Sequence, residues 1–174
     1  MSSLSKITQS LPTIFETLIN RFGFNIRLED EYRLLAEGPH SIVDIIFERY
    51  EYGMSVSIVD PAHERYRYNF LLLMWMRNPG YKVSKRVYDE SFSKEENLKI
   101  DLRELCEWLL RFCADILAGD TAAIRAEGYH ELASYIDDRM PIVVNMPLDD
   151  PISKKFWLGD FTWVSDLRER ERAV

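Results

Sequence analysis

The side chains able to ligate a metal or attack a substrate are few in this 174-residue chain, and they stand far apart. His40, His63 and His130 are the only histidines. No two have the spacing of about three to five residues through which a helical turn or a finger presents paired imidazoles to a metal ion. No metal site is expected. The best local grouping is Asp60-Pro61-Ala62-His63-Glu64, where a turn at the end of a strand could expose a carboxylate beside an imidazole for proton transfer. The same residue types also serve a turn that only bonds its own backbone. The glycines at 23, 38, 53, 80, 119, 128 and 159 are too scattered to build a dinucleotide or phosphate loop, and no serine has the flanking glycines of a nucleophile elbow. No catalytic residue and no cofactor is assigned.

Cys106 and Cys113 are the only cysteines. Seven residues apart on a helix, they share a face but lie roughly 10 Å apart along the axis, too far for a disulfide. Neither has a neighbouring histidine to activate it, so both are expected to be reduced core residues.

The acidic residues say more. The formal charge is −7, from 29 acidic and 22 basic side chains, which disfavours nucleic acid and anionic membrane as partners. Residues 81–140 hold 13 of the acidic and 9 of the basic side chains. Glu104, Glu107 and Asp115 fall on the polar arc of a helix, interrupted by Arg111, and Asp137 and Asp138 follow in the next element. These five carboxylates are the candidate partner-binding residues, facing a protein more basic than this chain. Any solvated helix face carries such residues as well.

The elements that must position these groups follow from hydrophobic period. Leu11, Ile14, Phe15, Leu18 and Phe22 form a helical stripe closed by Gly23. Strand alternation follows at Phe24, Ile26 and Leu28, more weakly over Tyr32 to Glu37, then over Ser41 to Tyr50, Met54 to Ile58 and Tyr66 to Phe70. In the third of these Val43, Ile45 and Phe47 share one face, with Asp44 and Glu48 on the other, which Ile42 and Ile46 make partly apolar too. Glu51-Tyr52-Gly53 reads as the turn, and Asp60-Pro61 ends the fourth ladder. Leu71 to Met76 fits either a strand extension or a short buried helix.

A polar excursion runs from Asn78-Pro79-Gly80 to Lys99, with Tyr81, Val83, Val87, Tyr88 and Phe92 as anchors. Asp101 with Glu104 has the capping-box spacing that opens a long helix, whose apolar set is Leu102, Leu105, Cys106, Leu109, Leu110, Phe112, Cys113, Ile116 and Leu117. Trp108 lies on its flank. At about 100° per residue that set covers more than half the circumference, so the helix is expected to pack on two sides. Gly119 closes it and Asp120-Thr121 can cap the next, which Gly128 weakens or splits. Pro141, Pro147 and Pro151 mark an extended segment. Phe156, Trp157, Phe161 and Trp163 can complete a core or seal a homodimer, and Arg168 to Arg172 reads as a solvated final helix.

These elements give a single α+β domain over 1–174: an antiparallel meander of about four or five strands against an N-terminal helix and a C-terminal helical half. The longest apolar run, Phe70 to Met76, is far short of the roughly 20 residues of a membrane span, and the N-terminal residues lack a signal-type pattern, so a cytoplasmic protein is expected.

A helix ending Phe22-Gly23-Phe24, a meander, and a helix ending Ile116-Leu117-Ala118-Gly119-Asp120 together resemble small bacterial α+β proteins, including immunity proteins of polymorphic-toxin systems. The resemblance implies a non-enzymatic protein that blocks a cognate toxin by binding it. A small enzyme assembled from distant segments and a homodimeric scaffold are the alternatives.

Overall fold

A computed structural model describes residues 3–47, 53–62, 67–79, 90–126 and 128–173. The fold is α+β, with a five-stranded antiparallel sheet in the order β1-β2-β3-β4-β5. The strands are β1 (Asn25–Leu28), β2 (Arg33–Glu37), β3 (Ile42–Phe47), β4 (Met54–Val59) and β5 (Arg67–Asn69). Each pairs with the strand next in sequence, the meander that the alternation predicts. The turn at Glu51-Tyr52 lies outside the described residues, as do His63, Glu64 and the anchors Tyr81 to Tyr88.

Backbone contacts divide the chain into two compact units, both within the span expected as one domain. The first takes the described residues of Met1–Leu71 and Arg86–Ala123, the second those of Leu72–Lys85 and Ile124–Val174. The chain passes from the first to the second inside α4 (Phe70–Arg77), so Leu71 to Met76 is helix rather than strand.

In the first unit, α1 (Ser3–Lys6) precedes a short 3₁₀ turn (Thr8–Ser10), α2 (Leu11–Ile14) and α3 (Glu16–Phe22). The stripe expected as one helix is thus broken at Phe15, although Leu11, Ile14, Phe15 and Leu18 are all buried and Gly23 closes it at φ 71°. One face of the sheet carries Leu34, Ala36, Val43, Ile45, Ile58 and Tyr68, each fully buried. The register places Arg33, Leu35, Asp44, Ser57, Val59 and Arg67 on the other.

The long helix α5 (Lys94–Leu117) opens two turns earlier than expected. Its capping box is Ser93 with Glu96, not Asp101 with Glu104: Glu96 N–H donates to Ser93 Oγ at 3.2 Å and Ser93 N–H to Glu96 Oε2 at 3.0 Å. Both pairs have the spacing, and Lys94 and Glu96 are exposed at the start of the helix. Asn97 is buried there, donating to the carbonyls of Phe92 and Ser93. The expected apolar stripe is buried from Leu102 to Leu117, with Leu110 half-exposed. The helix packs against α1 and α2.

The chain enters the second unit again within α6 (Ala122–Ala126), which is separated from α7 (Tyr129–Val144) by Gly128 at φ 73°, a left-handed conformation that L side chains rarely adopt. The split falls at the glycine expected to weaken the helix. The expected extended segment at Pro141 to Pro151 is overturned. Pro141 lies inside α7 and Pro151 starts α8 (Pro151–Trp157), where a missing N–H costs nothing because the first turn has no acceptor for it. Asp150 caps α8, accepting from Ile152 N–H at 2.8 Å, and Arg170 of α9 (Trp163–Arg172) donates to both its oxygens.

Candidate functional site

In the first unit, a cleft of about 590 Å³ brings together Arg21, His40 and Asp115 from distant parts of the sequence. Arg21 and Phe22 come from the end of α3, Pro39 and His40 from the β2–β3 turn, and Asp115 from the last turn of α5. The helix end can approach that turn because residue 119 is glycine. Its φ is 105°, and a Cβ there would stand 3.0 Å from the His40 ring. The Arg21 guanidinium lies 5.0 Å from the centre of the Phe22 ring, which meets Phe24 edge-on. The cleft can offer cationic, anionic and aromatic contacts at once. Sequence spacing could not reveal it, since residues 21, 40 and 115 meet only through the fold.

The predicted carboxylates divide between the units. Glu104, Glu107 and Asp115 all stand on α5, with Glu107 and Asp115 exposed and Glu104 half-buried. Asp137 and Asp138 are exposed neighbours on α7, in the second unit. Asp60 is buried, and its carboxylate accepts from Ala62 N–H at 2.9 Å, tying its own turn.

The largest departure from the sequence reading is Asp44. Strand parity puts it on the face of β3 opposite Val43 and Ile45, and its side chain is only 1% exposed. Arg33 donates to it through two nitrogens, Nε to Oδ1 and Nη2 to Oδ2, each at 2.9 Å, and Arg67 Nη1 donates to Oδ2 at 2.5 Å. Burial raises the carboxyl pKa, but the hydrogen bonds and charges of the two arginines outweigh it, and the net direction is downward. The edge of the same face carries Arg27, which bonds Glu37 at 2.9 Å and also Glu29.

Both cysteines are buried and neither is in a disulfide, as expected. Desolvation, with the charge of Glu107 adding to it, pushes the Cys106 thiol up to about 12, so it holds almost no thiolate near neutral pH. A thiol reagent should therefore label native protein far more slowly than unfolded protein. Labelling of the folded chain at the rate of a free thiol would place these residues outside the core.

The aromatic tail separates by burial. Trp163 is buried and Phe156 packs edge-on against it, while Phe161 stands 6.2 Å from Trp75; Trp157 is 53% exposed. Among the described residues no group of three or more His, Cys, Asp or Glu side chains is arranged to hold a metal ion, and no helix is long and apolar enough to cross a membrane. Compared with protein-family models, characterised proteins and solved structures, the chain gives no match.

Proposed function

We propose that this chain is a non-enzymatic, protein-binding protein that neutralises a cognate bacterial toxin in the cytoplasm by docking against a basic surface of it. The observation that carries the reading is the solvent-facing arc of α5. Glu107 and Asp115 are exposed there, while the opposite side of the helix is held in the core by Leu105, Leu109 and Ile116. A rigid helix that keeps carboxylates in fixed positions presents a field that can steer a basic protein into contact. Asp137 and Asp138 give the second unit a similar exposed acidic pair.

Association with the product of the adjacent gene tests the proposal. Glu107→Lys should leave the thermal melt unchanged and slow association. The wild-type on-rate should fall as salt rises to near-physiological strength, where screening acts over about 8–10 Å. A salt-independent on-rate that is insensitive to this reversal would remove α5 from the interface.

A small enzyme is the second reading, favoured by the meeting of Arg21, His40 and Asp115 in one cleft. It requires turnover in a hydrolase screen that His40→Ala abolishes.

A further inference from the structure

We propose that a second copy of this chain covers the outward side of α8, the two copies related by a two-fold axis that brings Asp149 of each to Lys154 of the other. The lead is a concentration of apolar surface. Nine large apolar side chains stand exposed among the described residues, and six of them, Met140, Ile142, Val144, Leu148, Trp157 and Leu158, fall within one stretch of the second unit. Apolar residues scattered singly over a surface are ordinary, whereas a concentration of them marks a place that something covers. Leu148 and Leu158 are the most exposed of the nine, at 73% and 72%, and Trp157 follows at 53%.

These side chains are not needed to complete the core. The inner side of α8 is already filled, since Ile152 and Ser153 are buried and Phe156 packs edge-on against the buried Trp163. At about 100° per residue Pro151, Lys154 and Leu158 share the opposite side, with Trp157 on its flank, and all four are exposed. The helix cannot turn Leu158 inward without turning Ile152 out.

The charges on this side identify the occupant. Neighbouring ionised groups are paired within the chain, Asp150 with Arg170, Lys155 with Asp166 and Arg139 with Glu171. Asp149 and Lys154 are exposed and form no ion pair or side-chain hydrogen bond among the described residues. From Leu148 to Leu158 the exposed side therefore reads apolar, acidic, basic, apolar. Turned end for end, the same pattern sets acid against base and apolar against apolar, the self-complementarity that a two-fold contact requires. A copy seated this way makes the Asp149 to Lys154 pair twice and lays Leu148 of each chain toward Trp157 and Leu158 of the other. The contact has no net charge, although each chain stands at −7 overall. A uniformly basic partner would meet Lys154 unfavourably, and a uniformly acidic one Asp149.

The contact uses neither the carboxylates of α5 nor the cleft, so it fails or stands separately from the proposed function. Sedimentation equilibrium of the whole chain across micromolar concentrations should show a reversible dimer. Leu158→Glu should leave the chain folded by circular dichroism and monomeric. Asp149→Lys and Lys154→Glu should each weaken dimerisation at least about tenfold when alone, because like charges then face each other twice, and an equimolar mixture of the two should regain it as a heterodimer. Lost folding cannot produce that recovery. A wild-type chain that stays monomeric, a dimer undisturbed by Leu158→Glu, or a mixture no tighter than its components would each overturn the assignment.

Discussion

Leu109→Ala is expected to lower the stability of the protein by about 2–5 kcal/mol, a large effect for a single truncation. Leu109 is 0% exposed, at the centre of the buried stripe of α5, between Leu105 and Phe112 on the same side of the helix. Removing its branched end deletes apolar contacts and leaves a space that a 24-residue helix, held along its length by a stripe of buried side chains, cannot collapse to fill. A chemical denaturation midpoint shifted to lower denaturant with an unchanged slope would report this as lost stability. An unshifted midpoint would mean that this side of α5 is not core.

Asp44→Ala is expected to cost about 1–3 kcal/mol at neutral pH, since it removes three charge-assisted hydrogen bonds and leaves two guanidinium groups side by side without their counter-ion. The loss should depend on pH, and its sign is fixed. The carboxyl titrates in the folded protein below its ordinary value of 3.8, so the stability contributed by its ionised form is complete above that value. That stability disappears as pH falls through the depressed folded-state pKa. Wild type and Asp44→Ala should therefore converge in acid. Glu37, Glu95, Glu96, Asp150 and Glu171 are shifted in the same direction by their own bonds to Arg27, Lys6, Ser93, Arg170 and Arg139, but all are at least partly open to screening by solvent, and they are common to both proteins. A difference between the two proteins that stays constant from pH 7 to the acid transition would show that the ionised carboxylate is not the source.

The sheet and the core of α5 are legible in the sequence because each depends on a local period. Alternation from Asn25 to Asn69 reproduces all five strands, and nine apolar positions from Leu102 to Leu117 define the side of α5 that packs. What sequence does not resolve depends on pairings between distant segments. Asp44 reads only as a residue of the second, partly apolar face of its strand until the register sets Arg33 beside it and brings Arg67 across from β5. Its burial is a property of three strands together. The capping-box spacing fits Asp101 as well as Ser93; the helix starts at the serine, where Ser93 and Glu96 exchange both bonds and Lys6 of α1 reaches Glu95 at 2.8 Å. Pro141 reads as a breaker because proline removes a helical hydrogen bond, yet the surrounding turns of α7 carry on through it. The Arg21, His40 and Asp115 cleft leaves no local trace at all.

The order in which the first unit receives its parts has a consequence for its synthesis. The meander is contiguous in sequence and each strand pairs with its predecessor, so its hairpins can form as the chain leaves the ribosome. The helix that completes the core of that unit follows only after the crossing into the second unit and back. Between Asn69 and Leu117 lie roughly fifty residues, which take a few seconds to translate. Through that interval α1 and α2, with the buried Leu4, Leu11 and Ile14, have no α5 to pack against. A nascent chain arrested before α5 emerges should therefore be a client for ribosome-associated chaperones, while one arrested after Leu117 should be able to close the first unit even though most of the second has yet to be made.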